Sequence, residues 1–298
     1  MLRPRSGAPG ANDVTIPSPG FPARLPSSPL PSPSRTAPIV TTDRLSRLDN
    51  RLLVASLWLV LMAIFLAGEL LSPYPYGDPR FVIDYLKTEL IVAGLLTVVT
   101  AWLLPARRIG LRLPEKLLDV RAMPMYVLAL GAVGAWAAAR LTVPVVPEGS
   151  DGQSLLVLRT TAFVGLNEEW IFRGFLLVAF VRWWGQRRGA FAALTAFSAF
   201  HLLNIAGGVP PHLALIQFVS TFLLGSVFLL GALATRSLLL PMVAHALYDF
   251  AVIDMVRLVA AGASPLTLTI VPIAGFIVGI LSVFWITRLT DGEPYGPD

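Results

Sequence analysis

Apolar residues run along this chain in long unbroken stretches, without the alternation of a half-buried strand or the three-to-four spacing of a surface helix. Eight stretches have the length needed to cross a bilayer as helices: 52–72, 82–104, 124–141, 155–181, 190–206, 213–235, 238–260 and 268–286. Between several of them stand the residues that break helices: Pro73, Pro75 and Gly77, then Pro105, then Pro144, Pro147 and Gly149, then Gly207, Gly208, Pro210 and Pro211, and finally Pro265. The pattern predicts an all-α, polytopic integral membrane protein of about eight transmembrane helices around a polar intramembrane cavity. No internal repeat is evident, which leaves an inverted-repeat transporter architecture without support.

Composition sharpens this reading. Of 298 residues 55% are hydrophobic and only 14% charged, against about 25% charged in soluble domains. A mean hydropathy of +0.70 over that length is more apolar surface than one aqueous core hides. Residues 1–38 hold ten prolines and six serines without apolar periodicity, so residues 1–45 are expected to be a disordered Pro/Ser-rich cytoplasmic tail. Residues 46–290 form the transmembrane domain and 291–298 a short tail. The tail lacks the continuous apolar core of a signal peptide, so the first apolar run is read as a retained anchor. With no cysteine in the chain, disulfides, thiolate metal sites and a cysteine nucleophile are excluded.

The net charge of +5 does not point to nucleic acid, because the arginines are dispersed between apolar runs. They alternate instead. Arg44, Arg47 and Arg51 precede the first run, Arg107, Arg108, Arg112, Lys116 and Arg121 follow the second, Arg182, Arg187 and Arg188 follow the fourth, Arg236 follows the sixth and Arg288 the eighth. With eight crossings these share one side, which the positive-inside rule makes cytoplasmic, and both termini with it. A cell (plasma) membrane location is expected.

Ionisable residues inside such runs are costly, about 2.5–3.5 kcal/mol each at a helix centre, and mark functional sites by default. The fourth run carries Asn167, Glu168, Glu169 and Arg173; the fifth carries His201, four residues after Phe197; the seventh carries His245 and Asp249, again four apart. Glu169 and Arg173 are one helical turn apart and suited to pair. At about 1.5 Å per residue, Glu168 lies roughly 21 Å from Arg182, His201 roughly 20 Å from Arg188 and Asp249 roughly 20 Å from Arg236, so all three share one depth. Structural glue between helices is the competing account for any single residue. For the group, a carboxylate beside an imidazole holds and deprotonates a water, which assigns Glu168 and His201, while a second imidazole, His245, donates to an oxyanion. The same Glu168, His201, His245 and Asp249 set also has the donor types of a catalytic Zn2+ site, and the sequence leaves both routes open. His212, beside Pro210 and Pro211, reads as a loop histidine. Asp254 and Arg257 read as an interfacial pair, and Gly275 with Gly279 as a helix-packing cue.

The strings Glu168-Glu169-Trp170-Ile171-Phe172-Arg173, Phe197-Ser198-Ala199-Phe200-His201 and His245-Ala246-Leu247-Tyr248-Asp249 resemble the three ordered motifs of the CPBP family, EExxxR, FxxxH and HxxxN or HxxxD. That family comprises CAAX-processing proteases of the Ras-converting type and bacteriocin-processing or Abi proteins. The resemblance covers about 155–260. It implies an intramembrane endopeptidase with a cavity facing the cytoplasm, acting on prenylated CAAX-like or other membrane-associated peptides or proteins. Glu168 would be the water-activating base, His201 its partner, His245 an oxyanion donor, and Asp249 the second polar group of the third motif. Glu169, Arg173 and Phe197 would be supporting residues. No cofactor is needed if a Glu/His-held water acts; Zn2+ is the alternative. The well-understood CAAX members carry Asn where this chain has Asp249, which accepts unless protonated, so Asp249 is assigned to orient His245 or bind metal. The rival class is a non-catalytic membrane scaffold or bacteriocin-immunity protein that uses the same polar cluster.

Overall fold

Nearly every residue of a computed structural model that can be described, 47–76, 78–103, 109–143 and 150–290, is helix or the short turn between helices. The expected tails over 1–45 and 291–298 lie outside the described residues. Eight helices are found among those that are described. These are α1 (Arg51–Leu71), α2 (Pro79–Leu103), α3 (Met123–Thr142), α4, α5 (Gln186–Phe200), α6 (Pro211–Thr235), α7 (Leu239–Ala260) and α8 (Pro265–Thr287). Helix α4 runs Ser150–Glu169, loosens into a π-helical segment over Trp170–Leu176, and resumes over Leu177–Trp184.

Local chemistry sets the ends. The Asn50 side chain accepts from Leu53 N at the start of α1, and Ser264 does the same for Leu266 N at α8. Proline opens α3, α6 and α8, where its missing N–H is not needed. Gly185, at φ +78°, makes the turn between α4 and α5, a conformation that costs glycine nothing. Helix α5 ends earlier than hydropathy predicts, at Phe200. The apolar string continues, but His201–Ile205 winds into a 3-10 turn ahead of Gly207 and Gly208.

Five helices, α1, α3 with its leading turn, α6, α7 and α8, are long and apolar enough to span a membrane by length and composition. The protein is an integral membrane protein with a polytopic all-α fold. The other three, α2, α4 and α5, are shorter or carry more charge, and they pack inside. Helix α4 contacts α2 and α7, α5 contacts α4 and α6, and α7 also contacts α3. Two apolar clusters result. One joins α1, α2, α4 and α5 through Phe65, Leu96, Phe172, Phe197 and Phe200. The other joins α3, α6, α7 and α8 through Met125, Phe228, Tyr248 and Met255.

The two ends of the bundle differ. At the arginine-rich end, Arg47 donates to the Trp102 carbonyl (3.1 Å) and Arg182 to Asp49 (2.7 and 2.9 Å), tying α1, α2 and α4 together. Arg112 donates to the Arg236 carbonyl (2.8 Å) and Ser237 to the Arg112 carbonyl (2.6 Å), joining the α2–α3 and α6–α7 connections. At the opposite end Tyr76 N donates to Gly207 O (2.9 Å), bringing the α1–α2 and α5–α6 connections together. There too Asp254 pairs with Arg257 as expected, and accepts from Trp136 (2.9 Å) and Ser154 (3.0 Å).

Candidate active site

The site lies on the seam between the two apolar clusters, where α4 meets α7. Gly165 allows the approach: a Cβ there would stand 2.7 Å from Met242 O and 2.8 Å from Ala246 N, both backbone atoms. One turn further along α4, Glu169 meets the next residue of α7 inward. His245 Nδ1 lies 2.9 Å from Glu169 Oε1, and the same oxygen is 3.2 Å from Arg173 Nη1. Since a carboxylate only accepts, Nδ1 carries the proton. The ring is stacked on Phe228 of α6, with centroids 4.6 Å apart and planes 16° apart. A base held at one nitrogen and clamped on one face has its other nitrogen aimed, and His245 Nε2 faces Glu168 Oε2 at 3.7 Å and Asp249 Oδ2 at 3.3 Å.

Arg173 is 1% exposed. Besides Glu169 it donates to the Gly225 carbonyl (2.8 Å), and its guanidinium lies 4.2 Å over the Phe197 ring. Gly225 is glycine because a Cβ there would press on Phe197 and reach 3.0 Å from Arg173 Nη2. The π-helical segment begins directly after Glu169 and contains Arg173; such widenings are frequent at functional sites. Phe197 is buried packing, in ring contact with Phe172, His201 and His245. The structure therefore brings Glu168, Glu169, Arg173, Phe197, His245 and Asp249 into one contiguous group.

Two expectations change. Glu168 and His201 were expected to pair, yet the imidazole nearest Glu168 is His245, because α4 abuts α7 while His201 sits where α5 gives out. His201 Nδ1 is 2.9 Å from the Phe197 carbonyl, which fixes its proton on Nδ1 and leaves Nε2 as the acceptor. It remains in electrostatic reach of Asp249 and His245. Orienting His245, a role assigned to Asp249, falls to Glu169, which holds Nδ1, while Asp249 sits on the Nε2 side. His212 is exposed on α6, as expected of a histidine without a role. Gly279 packs on Leu223 of α6 at 2.8 Å to its carbonyl, whereas Gly275 is looser, 3.6 Å from Tyr248.

The residues missed are Glu89 of α2 and Glu69 of α1. Asn167 Nδ2 donates to Glu89 Oε2 (2.6 Å) and to the Glu89 carbonyl (2.8 Å), so Glu89 is fully buried beside the site. Depth was the available signal: Glu89 is 13 residues before Trp102, roughly 20 Å from the arginine-rich end, level with Glu168. Glu69 is buried against Gly207. Glu69 Oε2, Glu89 Oε1, Asn167 Oδ1 and Glu168 Oε2 are all buried without a hydrogen-bond partner among the described residues.

Both site histidines present Nε2 with Nδ1–H engaged, a form suited to water or metal. Among the described residues, however, no three His, Asp or Glu side chains are grouped so as to hold a metal ion, and the steps below run through water.

No curated protein and no solved structure matches the chain. Residues 150–251 match the family model described as type II CAAX prenyl endopeptidase Rce1-like. The matched stretch contains α4, α5, α6 and the site-bearing half of α7, with Glu168, Glu169, Arg173, Phe197, His201, His245 and Asp249 inside it. Through that stretch the chain belongs to the Rce1-like family of type II CAAX prenyl endopeptidases.

Proposed function

We propose that this protein is an intramembrane endopeptidase that hydrolyses a peptide bond of a membrane-associated peptide, prenylated or not, with Glu168 as the base that activates water. One observation carries the reading: Glu168 Oε2 is buried among apolar helices without a hydrogen-bond partner, 3.7 Å from the Nε2 of a histidine that Glu169 and Phe228 lock in place. Two groups at that separation both reach one water at about 2.8 Å. Glu168 takes a proton from this water as its oxygen bonds to the carbonyl carbon. A proton on His245 Nε2 is the donor to the oxygen that becomes negative. His201, accepting at Nε2, holds a donor of the water or of the substrate amide. Collapse of the tetrahedral species breaks the C–N bond, and the proton on Glu168 passes to the leaving nitrogen. Glu169 and Arg173 are positioning residues. In this reading the arginine-rich end is cytoplasmic, supported by the charge alternation, and the plasma membrane is the host bilayer.

The test is cleavage of quenched-fluorescent peptides, prenylated and unprenylated, by detergent-purified protein beside Glu168→Gln and a chelator. Cleavage that disappears in Glu168→Gln with an unchanged melting temperature is the expected result. Cleavage that survives it removes Glu168 as base and the mechanism with it. Loss on chelation would bring Zn2+ back in place of a side-chain-held water.

A further inference from the structure

The bundle is closed below the site and open above it. On the arginine-rich side, Ile171–Leu176 of α4 and the following Leu177–Ala179 are all buried, as are residues 225–232 of α6. Phe172, Phe197 and Phe228 fill the space among them. On the other side, burial relaxes along the site itself. Arg173 and Glu169 are inaccessible, Glu168 nearly so, the Asp249 side chain is 22% exposed and His201 is half-buried.

The cause is the length of α5. Fifteen residues at about 1.5 Å each carry it roughly 22 Å from the arginine-rich end, and it stops at the level of the site. The first third of α6, which a full-length α5 would cover, is therefore exposed at Leu213, Leu215, Ile216 and Val219. The notch above His201 is rimmed by polar side chains. Asn204 Nδ2 donates to Gln217 Oε1 (3.0 Å) and Gln217 Nε2 to the Tyr76 phenol (3.3 Å). Tyr76 is 42% exposed, and its phenol is in electrostatic reach of Glu69, Asp249 and Glu168. Below it an aromatic wall descends through Phe81 and Tyr85 to Phe65 and Phe200, with successive centroids 5.1–6.4 Å apart. Side-chain amides, a phenol and the unpartnered Glu69 carboxylate together offer the donors and acceptors that an extended peptide backbone presents in return. The wall offers apolar contact for its side chains.

We propose that the site opens on the face opposite the arginine-rich one, through a mouth rimmed by Tyr76, Asn204 and Gln217, and takes extended peptide segments presented on the outer side of the membrane. The peptide as occupant rests on the endopeptidase reading; the direction of opening rests on the packing alone. Under the positive-inside rule the arginine-rich face is cytoplasmic, so the substrate class is the outward-facing part of a membrane or exported protein.

Because the chain has no cysteine, single-cysteine variants report sidedness without background. His212→Cys marks the mouth face and Lys116→Cys the arginine-rich face. Gln217→Cys reports the rim, and Asp249→Cys the site. Intact cells are treated with a membrane-impermeant maleimide, and residual thiol is measured after permeabilisation. The expected result is consumption of the thiol at positions 212, 217 and 249 from outside, with position 116 reacting only after permeabilisation. Reaction of Asp249→Cys from the Lys116 face alone, or from neither face, overturns the opening, and Gln217→Cys repeats the test with the catalytic groups intact. Protection of His212→Cys until permeabilisation overturns the outward assignment. Labelling needs no turnover, so peptide cleavage that survives Glu168→Gln would remove the endopeptidase reading while leaving the sidedness result standing.

Discussion

The alignment of His245 depends on a glycine four residues before Glu169, which makes Gly165→Ala a sharp test of how the site is built. A methyl at Gly165 stands 2.7 Å from Met242 O and 2.8 Å from Ala246 N. Both are backbone atoms, so no side chain can swing aside. Reaching ordinary contact at 3.4 Å needs α4 and α7 to separate by 3.4 − 2.7 = 0.7 Å. Overpacking of this kind costs about 1–3 kcal/mol. The separation falls next to His245, stretching its 2.9 Å bond to Glu169 and its 3.7 Å approach to Glu168. Since a misplacement of about 1 Å costs on the order of 10²-fold in rate, kcat should fall by about one to two orders of magnitude. The assay is kcat for peptide hydrolysis beside the melting temperature in detergent, with Gly131→Ala, where a Cβ meets nothing within 4 Å, as the control. Wild-type kcat and melting temperature in Gly165→Ala would refute the claim that this contact sets the site geometry.

Arg173→Met leaves Glu169 buried without its 3.2 Å partner; stability should drop by about 3–5 kcal/mol, and a melting temperature equal to wild type would show that Glu169 is compensated elsewhere. Gln217→Leu removes one neutral hydrogen-bonding group from the mouth, so KM should rise about 2- to 12-fold, the equivalent of about 0.5–1.5 kcal/mol, with kcat retained; a fall in kcat at constant KM would place Gln217 in the chemistry instead. The hydrogen bond from Arg182 holds the Asp49 carboxyl below its ordinary 3.8. A depressed folded value means the pair stabilises above the unfolded pKa and loses that contribution as pH falls through the folded one. Asp49→Asn should therefore melt below wild type at neutral pH, by less than about 1 kcal/mol for so exposed a pair, and the two curves should converge below about pH 3 to 4. Curves that stay apart in acid would assign the difference to packing at Asp49.

Helix positions and the Glu169–Arg173 pair were legible because each depends on local information: apolar run length, Gly and Pro punctuation, and a four-residue spacing that any helix honours. What stayed hidden depends on contacts far apart in sequence. Which carboxylate holds His245 Nδ1 is decided by the α4–α7 approach at Gly165, and a glycine within an apolar run gives no sign of the backbone it will meet. Glu89 sits on a helix that opens with Arg80, Asp84 and Lys87, so it reads as the last of an interfacial charge cluster until Asn167 draws it inward. The π-helical turn over Trp170–Leu176 has no signature in its composition. The early end of α5 was masked because Leu202, Leu203 and Ile205 continue the apolar run through a 3-10 turn.

The helices too polar or too short to count as spans on their own are the ones that make the site, and this follows from what hydrolysis inside a bilayer requires. Glu69 Oε2, Glu89 Oε1, Asn167 Oδ1 and Glu168 Oε2 lack hydrogen-bond partners among the described residues. Left dry, each such atom costs about 1–3 kcal/mol, a large burden against a typical net stability of about 5–15 kcal/mol. Water admitted through the notch above α5 offsets that cost and is also the co-substrate of peptide hydrolysis. A full-length α5 would seal the notch, leave the carboxylates unsatisfied and deprive Glu168 of the molecule it acts on. The outer ring of α1, α3, α6, α7 and α8 supplies the lipid-facing surface and so permits α2, α4 and α5 to be polar, short and locally irregular. The same short helix that lowers the cost of burying the carboxylates thus sets the direction from which a peptide reaches them.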